Sequence, residues 1–186
     1  MKFLGLKKVL EGKFITRYDL QYETNDGKIK NYEMISRDHD IKDLNGVKGD
    51  KCDAVVLIIH DMTGQKILLN KEFRMAVGQF AYNFPAGLID PGEDVMTAAK
   101  RELWEETGLE LVSVDDVWAP SFSGVGITNE KSTVIIGRAR GEFAPSTSSE
   151  EEIEARWYER DEVISLLKGD NFAARTQAYC IMWAKS

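Results

Sequence analysis

The sequence has no apolar run long enough to cross a bilayer, and its two cysteines, Cys52 and Cys180, match no metal-binding or redox spacing. Its first residues lack the long hydrophobic stretch and the small-residue cleavage site of a signal peptide. These absences predict a protein with reduced, buried thiols, no membrane partner and a cytoplasmic location. The net charge of −7 argues against a nucleic-acid polymer as partner, because phosphate contacts need a basic face. A small phosphorylated substrate remains compatible, since a bound divalent cation reverses the local potential.

Strand signals dominate the first third of the chain. Phe14–Thr24 and Ile29–Arg37 are rich in β-branched and aromatic residues, and the turn Asp26-Gly27 between them predicts an antiparallel hairpin. Residues 38–51 are polar and contain several glycines, which predicts a loop. A second hairpin is predicted from two further runs separated by a turn, Cys52–His60 and Lys66–Arg74.

The periodicity changes to that of a helix at residues 94–107, and Gly108 predicts where this helix ends. Later strands are predicted at Val117–Phe122, Ser132–Arg140 and residues 153–160, and closing helices at residues 161–169 and 171–185. Four tryptophans are predicted to lie in the core: Trp104, Trp118, Trp157 and Trp183. The order of the elements favours an α/β (α+β) fold in which helices pack on a mixed sheet.

Acidic side chains crowd the start and one side of the predicted helix: Glu93, Asp94, Glu102, Glu105 and Glu106. Like charges at this spacing repel one another. A solvated acidic face is one interpretation. The other is a divalent cation, because Mg²⁺ prefers carboxylate and carbonyl oxygens, and the turns before the helix can bring a backbone carbonyl near Ala86 to the same point. Arg101 is a natural ion-pair partner for Glu105 or Glu93.

Residues 87–109 resemble the Nudix box, G-x5-E-x7-R-E-U-x-E-E-x-G-U with U aliphatic. Every defined position is filled: Gly87, Glu93, Arg101, Glu102, Leu103, Glu105, Glu106, Gly108 and Leu109. The approach to the box resembles the ADP-ribose pyrophosphatase branch through Phe73-Arg74 and residues 84–87. The chain departs from that branch at Val125, where a proline is common, and at Asn83, where many relatives carry glutamate.

The resemblance implies the Nudix fold, a mixed β-sheet sandwiched between helices, with a small N-terminal antiparallel β region. It implies a division into residues 1–45, expected to serve as a dimerisation element, and residues 46–186, the Nudix hydrolase domain. A homodimer is the oligomeric state expected for this branch.

The activity implied is metal-dependent hydrolysis of the pyrophosphate bond of a nucleoside diphosphate linked to another moiety, with ADP-ribose giving AMP and ribose 5-phosphate. The cofactor implied is Mg²⁺, with Mn²⁺ as an alternative. Metal ligands implied are the Ala86 carbonyl, Glu93, Glu102, Glu106 and Glu151. Catalytic residues implied are Glu150 as the base, Glu105 and Arg101. Substrate contacts implied are Arg74 at a phosphate, Phe80 beside the base, Gly87 and Glu130.

Several alternatives remain open at this point. The acidic segment 146–152 can be a mobile solvated loop without a catalytic role, and Arg74 can be an ordinary surface arginine. Other functions compatible with the box are hydrolysis of a different nucleotide-sugar, pyrophosphate release from a nucleoside triphosphate, and non-catalytic sensing of ADP-ribose. Sensors of the last kind tend to lose box carboxylates, and this chain has all of them.

Overall fold

The computed structural model describes residues 1–186, which form two compact units. One unit comprises Met1–Asp53 and Pro120–Ser132, and the other comprises Ala54–Ala119 and Thr133–Ser186. The functional division after residue 45 remains a prediction, whereas the compact units divide after Asp53 and the first one includes a later segment. None of the helices is both long enough and apolar enough to cross a membrane.

The first unit is built on an antiparallel sheet of β1 (Lys2–Glu11), β2 (Thr16–Glu23) and β3 (Ile29–Ser36). The predicted β2–β3 hairpin is confirmed, with Gly27 at a φ of 78° in its turn. Strand β1 was not predicted, because most of its side chains are exposed and leave no clear apolar alternation. The predicted loop 38–51 contains a short helix, α1 (Leu44–Lys48), which begins where the Asp43 carboxylate accepts from the Gly46 amide at 3.0 Å.

The second unit is a sheet with three helices. Its strands are β4 (Ala54–His60), β5 (Ile67–Arg74), β6 (Gln79–Asn83), β7 (Ala86–Leu88), β8 (Glu110–Val117), most of β10 (Lys131–Arg140) and β11 (Ile153–Tyr158). Its helices are α2 (Val95–Thr107), α3 (Arg160–Leu166) and α4 (Ala174–Lys185). The strand order is β11-β5-β4-β10-β8, with β6 beside β5 and β7 beside β4. Strand β9 (Ser121–Phe122) belongs to the first unit and pairs with the first two residues of β10.

Helices cover both faces of this sheet. Along β4, Val55, Leu57 and Ile59 pack in one cluster with Ala98, Ala99 and Leu103 of α2. The alternate residues Val56 and Ile58 pack in a second cluster with Val163 of α3 and Cys180 of α4. A strand buried on both faces has no polar side to present, which explains the unbroken apolar run of β4. The predicted sheet between helices is thereby confirmed.

Two predictions about the elements were wrong. Val117–Phe122 is not one strand, because β8 ends at Val117 and β9 starts at Ser121, with Pro120 between them lacking the N–H that a strand pair needs. Trp104 and Trp118 are not core residues, since each is 59% exposed. Trp183 is buried as predicted, and Trp157 is partly buried against the α2 side of the sheet.

Candidate active site

The site begins at Gly87, in the short strand β7. Gly87 pairs with Val55 of β4, and the carboxylate of Glu102 lies directly against its Cα side. A Cβ at position 87 would lie 1.9 Å from Cδ of Glu102 and 2.1 Å from both of its carboxylate oxygens. Any residue other than glycine would therefore displace Glu102, which gives a steric reason for the glycine that opens the motif.

Helix α2 is held in place at both ends by local interactions. At its start the Asp94 side chain accepts from the amides of Met96 and Thr97, which caps otherwise unpaired N–H groups. At its end Gly108 takes a left-handed conformation with φ of 75°, and its amide donates to the Trp104 carbonyl at 2.8 Å. A Cβ on Gly108 would also meet Cβ of Ala144 at 2.7 Å. The caps fix the helix ends and hence the direction of its carboxylates.

Arg101 is the centre of the charged cluster. Its Nε and Nη2 bind the two oxygens of Glu93 at 2.9 and 2.8 Å, the bidentate geometry that suits a guanidinium. Its Nη1 donates to Glu102 at 2.8 Å and to Glu105 at 3.0 Å, and Nη2 also donates to the Leu88 carbonyl at 2.9 Å. One cation thus positions three carboxylates and the strand β7. Pairing with Glu105 or Glu93 was predicted, whereas the contacts with Glu102 and Leu88 were not.

Two carboxylates of α2 are withdrawn from water. Glu106 is 6% exposed, and burial raises its pKa well above the usual value, with further repulsion from Glu102, Glu72 and Glu151. Burial also raises the pKa of Glu102, against the opposing effect of Arg101. Glu93 differs, because its hydrogen bonds from Arg101 lower its pKa. The free energy cost of ionising Glu102 and Glu106 would fall if a positive charge bound beside them.

Two polar residues of β5 belong to this cluster, although the sequence did not single them out. Asn70, only 1% exposed, donates from Nδ2 to Oε2 of Glu106 at 2.7 Å. Its Oδ1 has no hydrogen-bond partner within the protein, and an unpaired buried acceptor costs about 1–3 kcal/mol. Glu72 lies two residues further along the strand, and its charge raises the pKa of Glu106. Side chains alternate between the two faces of a strand, so Asn70 and Glu72 lie on the same face of β5 as Leu68, which packs with α2. This alternation is the sequence signal that could have identified them.

The three glutamates at 150–152 lie immediately before β11. The Glu152 carbonyl accepts from the Phe73 amide at 3.0 Å, which ties this segment to the end of β5. The Glu151 carboxylate accepts from Ser146 at 3.5 Å, and its charge raises the pKa of both Glu102 and Glu106. Glu150 is exposed, and its amide donates to Ser148. The structure therefore brings Glu151 within electrostatic range of the cluster, while the assigned roles of Glu150 and Glu151 stay predictions.

The residues predicted to contact substrate lie in both units. Arg74 ends β5 with Nη1 at 2.5 Å from Oε1 of Glu72, which places a cation next to the acidic cluster. Phe80 of β6 pairs with Phe73 of β5 and is partly exposed. The Lys71 ammonium lies 5.4 Å from the centroid of the Phe80 ring. Glu130 belongs to the first unit, where it pairs with Nε of Arg37 at 2.6 Å. The substrate-contact roles of Arg74, Phe80 and Glu130 remain predictions.

A family model described as the NUDIX domain matches residues 50–180, which is more than half of the chain. The chain belongs to the Nudix family. The match includes all the residues of the cluster just described, from Asn70 on β5 to Glu151.

Curated relatives of this Nudix chain include an ADP-ribose pyrophosphatase of Saccharomyces cerevisiae, which is 36% identical over 107 residues. That alignment covers 58% of this chain and 40% of the relative. An ADP-sugar pyrophosphatase of Mus musculus is 34% identical over 103 residues, 54% of this chain and 44% of the relative. A NAD-capped RNA hydrolase of Homo sapiens is 32% identical over 145 residues, 73% of this chain and 29% of the relative. The chain thus aligns with less than half the length of these relatives.

One solved structure, described as an ADP compounds hydrolase, superposes on this chain with a TM-score of 0.74 and is 18% identical to it. The superposition covers 100% of this chain and 93% of the chain in that structure. Similarity at this level of identity establishes the fold alone. It confirms the predicted Nudix fold, a multistranded sheet with few helices.

Nudix hydrolases generally use divalent metal ions, and the residues of this chain fit such an ion. Carboxylate and carbonyl oxygens are the donors that hard cations prefer, and here Glu102 and Glu106 lie close to β7 and the Ala86 backbone. Because Gly87 has no side chain, the Glu102 carboxylate can lie directly against the backbone of β7. The structure contains no group of three or more Asp, Glu, His or Cys side chains arranged around one point as metal ligands. Glu93, Glu102 and Glu105 instead accept hydrogen bonds from Arg101.

Proposed function

We propose that this Nudix domain hydrolyses the pyrophosphate bond of a nucleoside diphosphate linked to another moiety, and that ADP-ribose is cleaved to AMP and ribose 5-phosphate. The observation that carries the proposal is the pair Glu102 and Glu106: Glu102 lies against Gly87 and accepts from Arg101, and Glu106 is buried. Relatives named as ADP-ribose and ADP-sugar pyrophosphatases support this choice of substrate.

The carbonyl of Ala86 with Glu102 and Glu106 would hold Mg²⁺, and Glu93 and Glu151 would complete its surroundings. A divalent cation at this position supplies charge neutralisation for the diphosphate, which the acidic site would otherwise repel. Mn²⁺ is expected to substitute, because both ions accept oxygen ligands.

The chain's own residues have the following roles in the proposal. Glu150 accepts the proton of the attacking water as the new P–O bond forms and the bridging P–O bond breaks. Arg74 binds a phosphate through its guanidinium, since this group matches phosphate oxygens in a bidentate manner. Arg101 and Glu105 maintain the orientation of Glu102. Phe80 offers a ring face to the base.

The direct test is to incubate the purified protein with ADP-ribose and Mg²⁺ and to separate the products chromatographically. AMP and ribose 5-phosphate in equal amounts are expected. The variant Glu106→Gln should lose this activity, whereas Glu110→Gln, which alters an exposed glutamate of β8 paired with Arg140, should keep it.

A substrate panel decides between the related activities. It contains ADP-ribose, ADP-glucose, GDP-mannose, diadenosine polyphosphates and a nucleoside triphosphate. NADH is included because of the relative named as a NAD-capped RNA hydrolase. Turnover of no sugar diphosphate in the panel would refute the proposal. Release of pyrophosphate from the triphosphate would favour the triphosphate pyrophosphohydrolase instead.

The homodimer, the cytoplasmic location and the choice of Mg²⁺ over other cations complete the proposal. A homodimer predicts a mass near 42 kDa, twice the 21.0 kDa of the chain. Light scattering coupled to gel filtration measures it, and a mass of one chain at micromolar concentration would contradict the dimer.

A further inference from the structure

Asn70 occupies an unusual position in β5. The three residues before it, Ile67 to Leu69, are fully buried apolar side chains, and Asn70 itself is 1% exposed. A buried amide in such a strand needs partners for both of its polar atoms. Nδ2 has one, the Glu106 carboxylate at 2.7 Å, and Oδ1 has none within the protein.

We infer that Asn70 is a positioning residue, whose amide orients the Glu106 carboxylate and thereby sets the affinity of the site for a divalent cation. The inference rests on the proposed function only in taking Glu106 as a cation ligand. Outer hydrogen-bond partners of this kind fix the rotamer of a ligand, and their loss typically weakens metal binding by about 10–100-fold.

Apolar packing does not account for an asparagine here. A leucine would continue the apolar run of β5 and would remove the unpaired Oδ1 atom, but it would also remove the donor to the buried Glu106 carboxylate. The energetic cost of the unpaired Oδ1 atom is therefore balanced by something that leucine cannot provide, the hydrogen bond from Nδ2 to Glu106.

The neutrality of the amide is a second argument. Glu106 already experiences repulsion from Glu72, Glu102 and Glu151. An aspartate at position 70 would add another carboxylate to this group, and a lysine would bring a competing positive charge to it. An amide donates a hydrogen bond to Glu106 without changing the charge of the cluster. No positive side chain at position 70 then competes with a cation for Glu106.

The test is a comparison of Mn²⁺ binding in the full chain without nucleotide, measured by the EPR signal of free Mn²⁺. We expect Asn70→Leu to raise the Mn²⁺ dissociation constant about 10–100-fold. The matched control is Thr176→Val, which removes a fully buried hydroxyl that binds Asn83 and the Phe84 amide. Thr176→Val should leave Mn²⁺ binding within about twofold of wild type. A similarly small change in Asn70→Leu would overturn the inference.

A double-mutant cycle separates positioning from a general structural role. If Asn70 acts through Glu106, then Asn70→Leu made in the Glu106→Gln background should weaken Mn²⁺ binding by less than about threefold further. An equally large additional loss in that background would refute action through Glu106. Should Asn70→Leu fail to fold, Asn70→Ser, which is too short to reach Glu106, serves in the same cycle with the same expectations.

Failure of this inference is distinguishable from failure of the proposed function. Wild-type protein that binds Mn²⁺ but cleaves no compound of the panel would remove the proposed substrate class and leave the Asn70 comparison intact. Wild-type protein that cleaves ADP-ribose, combined with unchanged Mn²⁺ binding in Asn70→Leu, would overturn the role of Asn70 alone.

Discussion

Gly87→Ala is the substitution for which the structure gives the clearest magnitude. The added methyl group would lie 2.1 Å from both carboxylate oxygens of Glu102, whereas ordinary contact begins at 3.4 Å. The carboxylate must therefore move by more than about 1 Å, and its hydrogen bond from Arg101 must break or stretch. Because Glu102 is a proposed cation ligand, we expect a displacement of about 1 Å to lower kcat/KM about 100-fold.

The fold should tolerate this change better than the activity does. The atoms in conflict are the far end of a flexible side chain, and Gly87 has no positive φ that an alanine could not adopt. We expect a loss of about 1 kcal/mol in the free energy of unfolding, at the low end for overpacking. That is about 2–4 °C in melting temperature for a domain of this size.

The assay is kcat/KM for ADP-ribose together with thermal unfolding, in Gly87→Ala, wild type and Gly169→Ala. The last is the control, because no atom lies within 4 Å of the Cβ that it adds. Activity of Gly87→Ala within about threefold of wild type would refute the steric argument. A melting temperature lowered by more than about 10 °C would show that Gly87 acts through the fold instead.

Three further predictions concern Arg101, Gly108 and Glu106. Arg101→Lys should lower kcat about 10–100-fold in steady-state assays, because an ammonium cannot bind Glu93 bidentately while holding Glu102 and Glu105; an unchanged kcat would contradict this role. Gly108→Ala should cost about 1–3 kcal/mol in urea unfolding, since it combines a positive φ with a 2.7 Å contact to Ala144; a change below about 0.5 kcal/mol would contradict it. In EDTA, Glu106→Gln should be more stable than wild type at pH 8, with the difference vanishing near pH 4. The reason is that a carboxyl whose pKa is raised on folding retains its proton in the folded state, so stability is lost as pH rises from about 4.3 through the folded pKa. Melting temperatures of both proteins measured across this pH range test the prediction. A difference between the two proteins that does not change with pH would refute it.

The sequence predicted those parts of the fold in which one physical signal dominates. The unbroken apolar run of β4 and the helical periodicity of α2 ending at Gly108 were both confirmed. Strand β1 and helix α1 were missed, because most of β1 is exposed and α1 is a single turn that depends on the Asp43 cap. Trp104 was assigned to the core, yet the buried face of α2 is provided by Ala98, Ala99 and Leu103.

The candidate site was predictable along α2 and less so across the sheet. Spacing alone brings Arg101 next to Glu105, and the structure places Glu93 on the same guanidinium. The contribution of Asn70 depends on which strand of the sheet passes beside Glu106. Alternation along β5 gives the face on which Asn70 lies, but it does not give the element that packs there, which depends on the strand order β11-β5-β4 and on the packing of α2 on this sheet.

Anomalous diffraction from crystals grown with Mn²⁺, with and without a nucleotide, shows whether the acidic cluster of α2 binds a divalent cation. We expect a peak within about 2.5 Å of carboxylate oxygens of both Glu102 and Glu106. Crystals that contain Mn²⁺ but show no anomalous peak beside either residue, in both conditions, would contradict it.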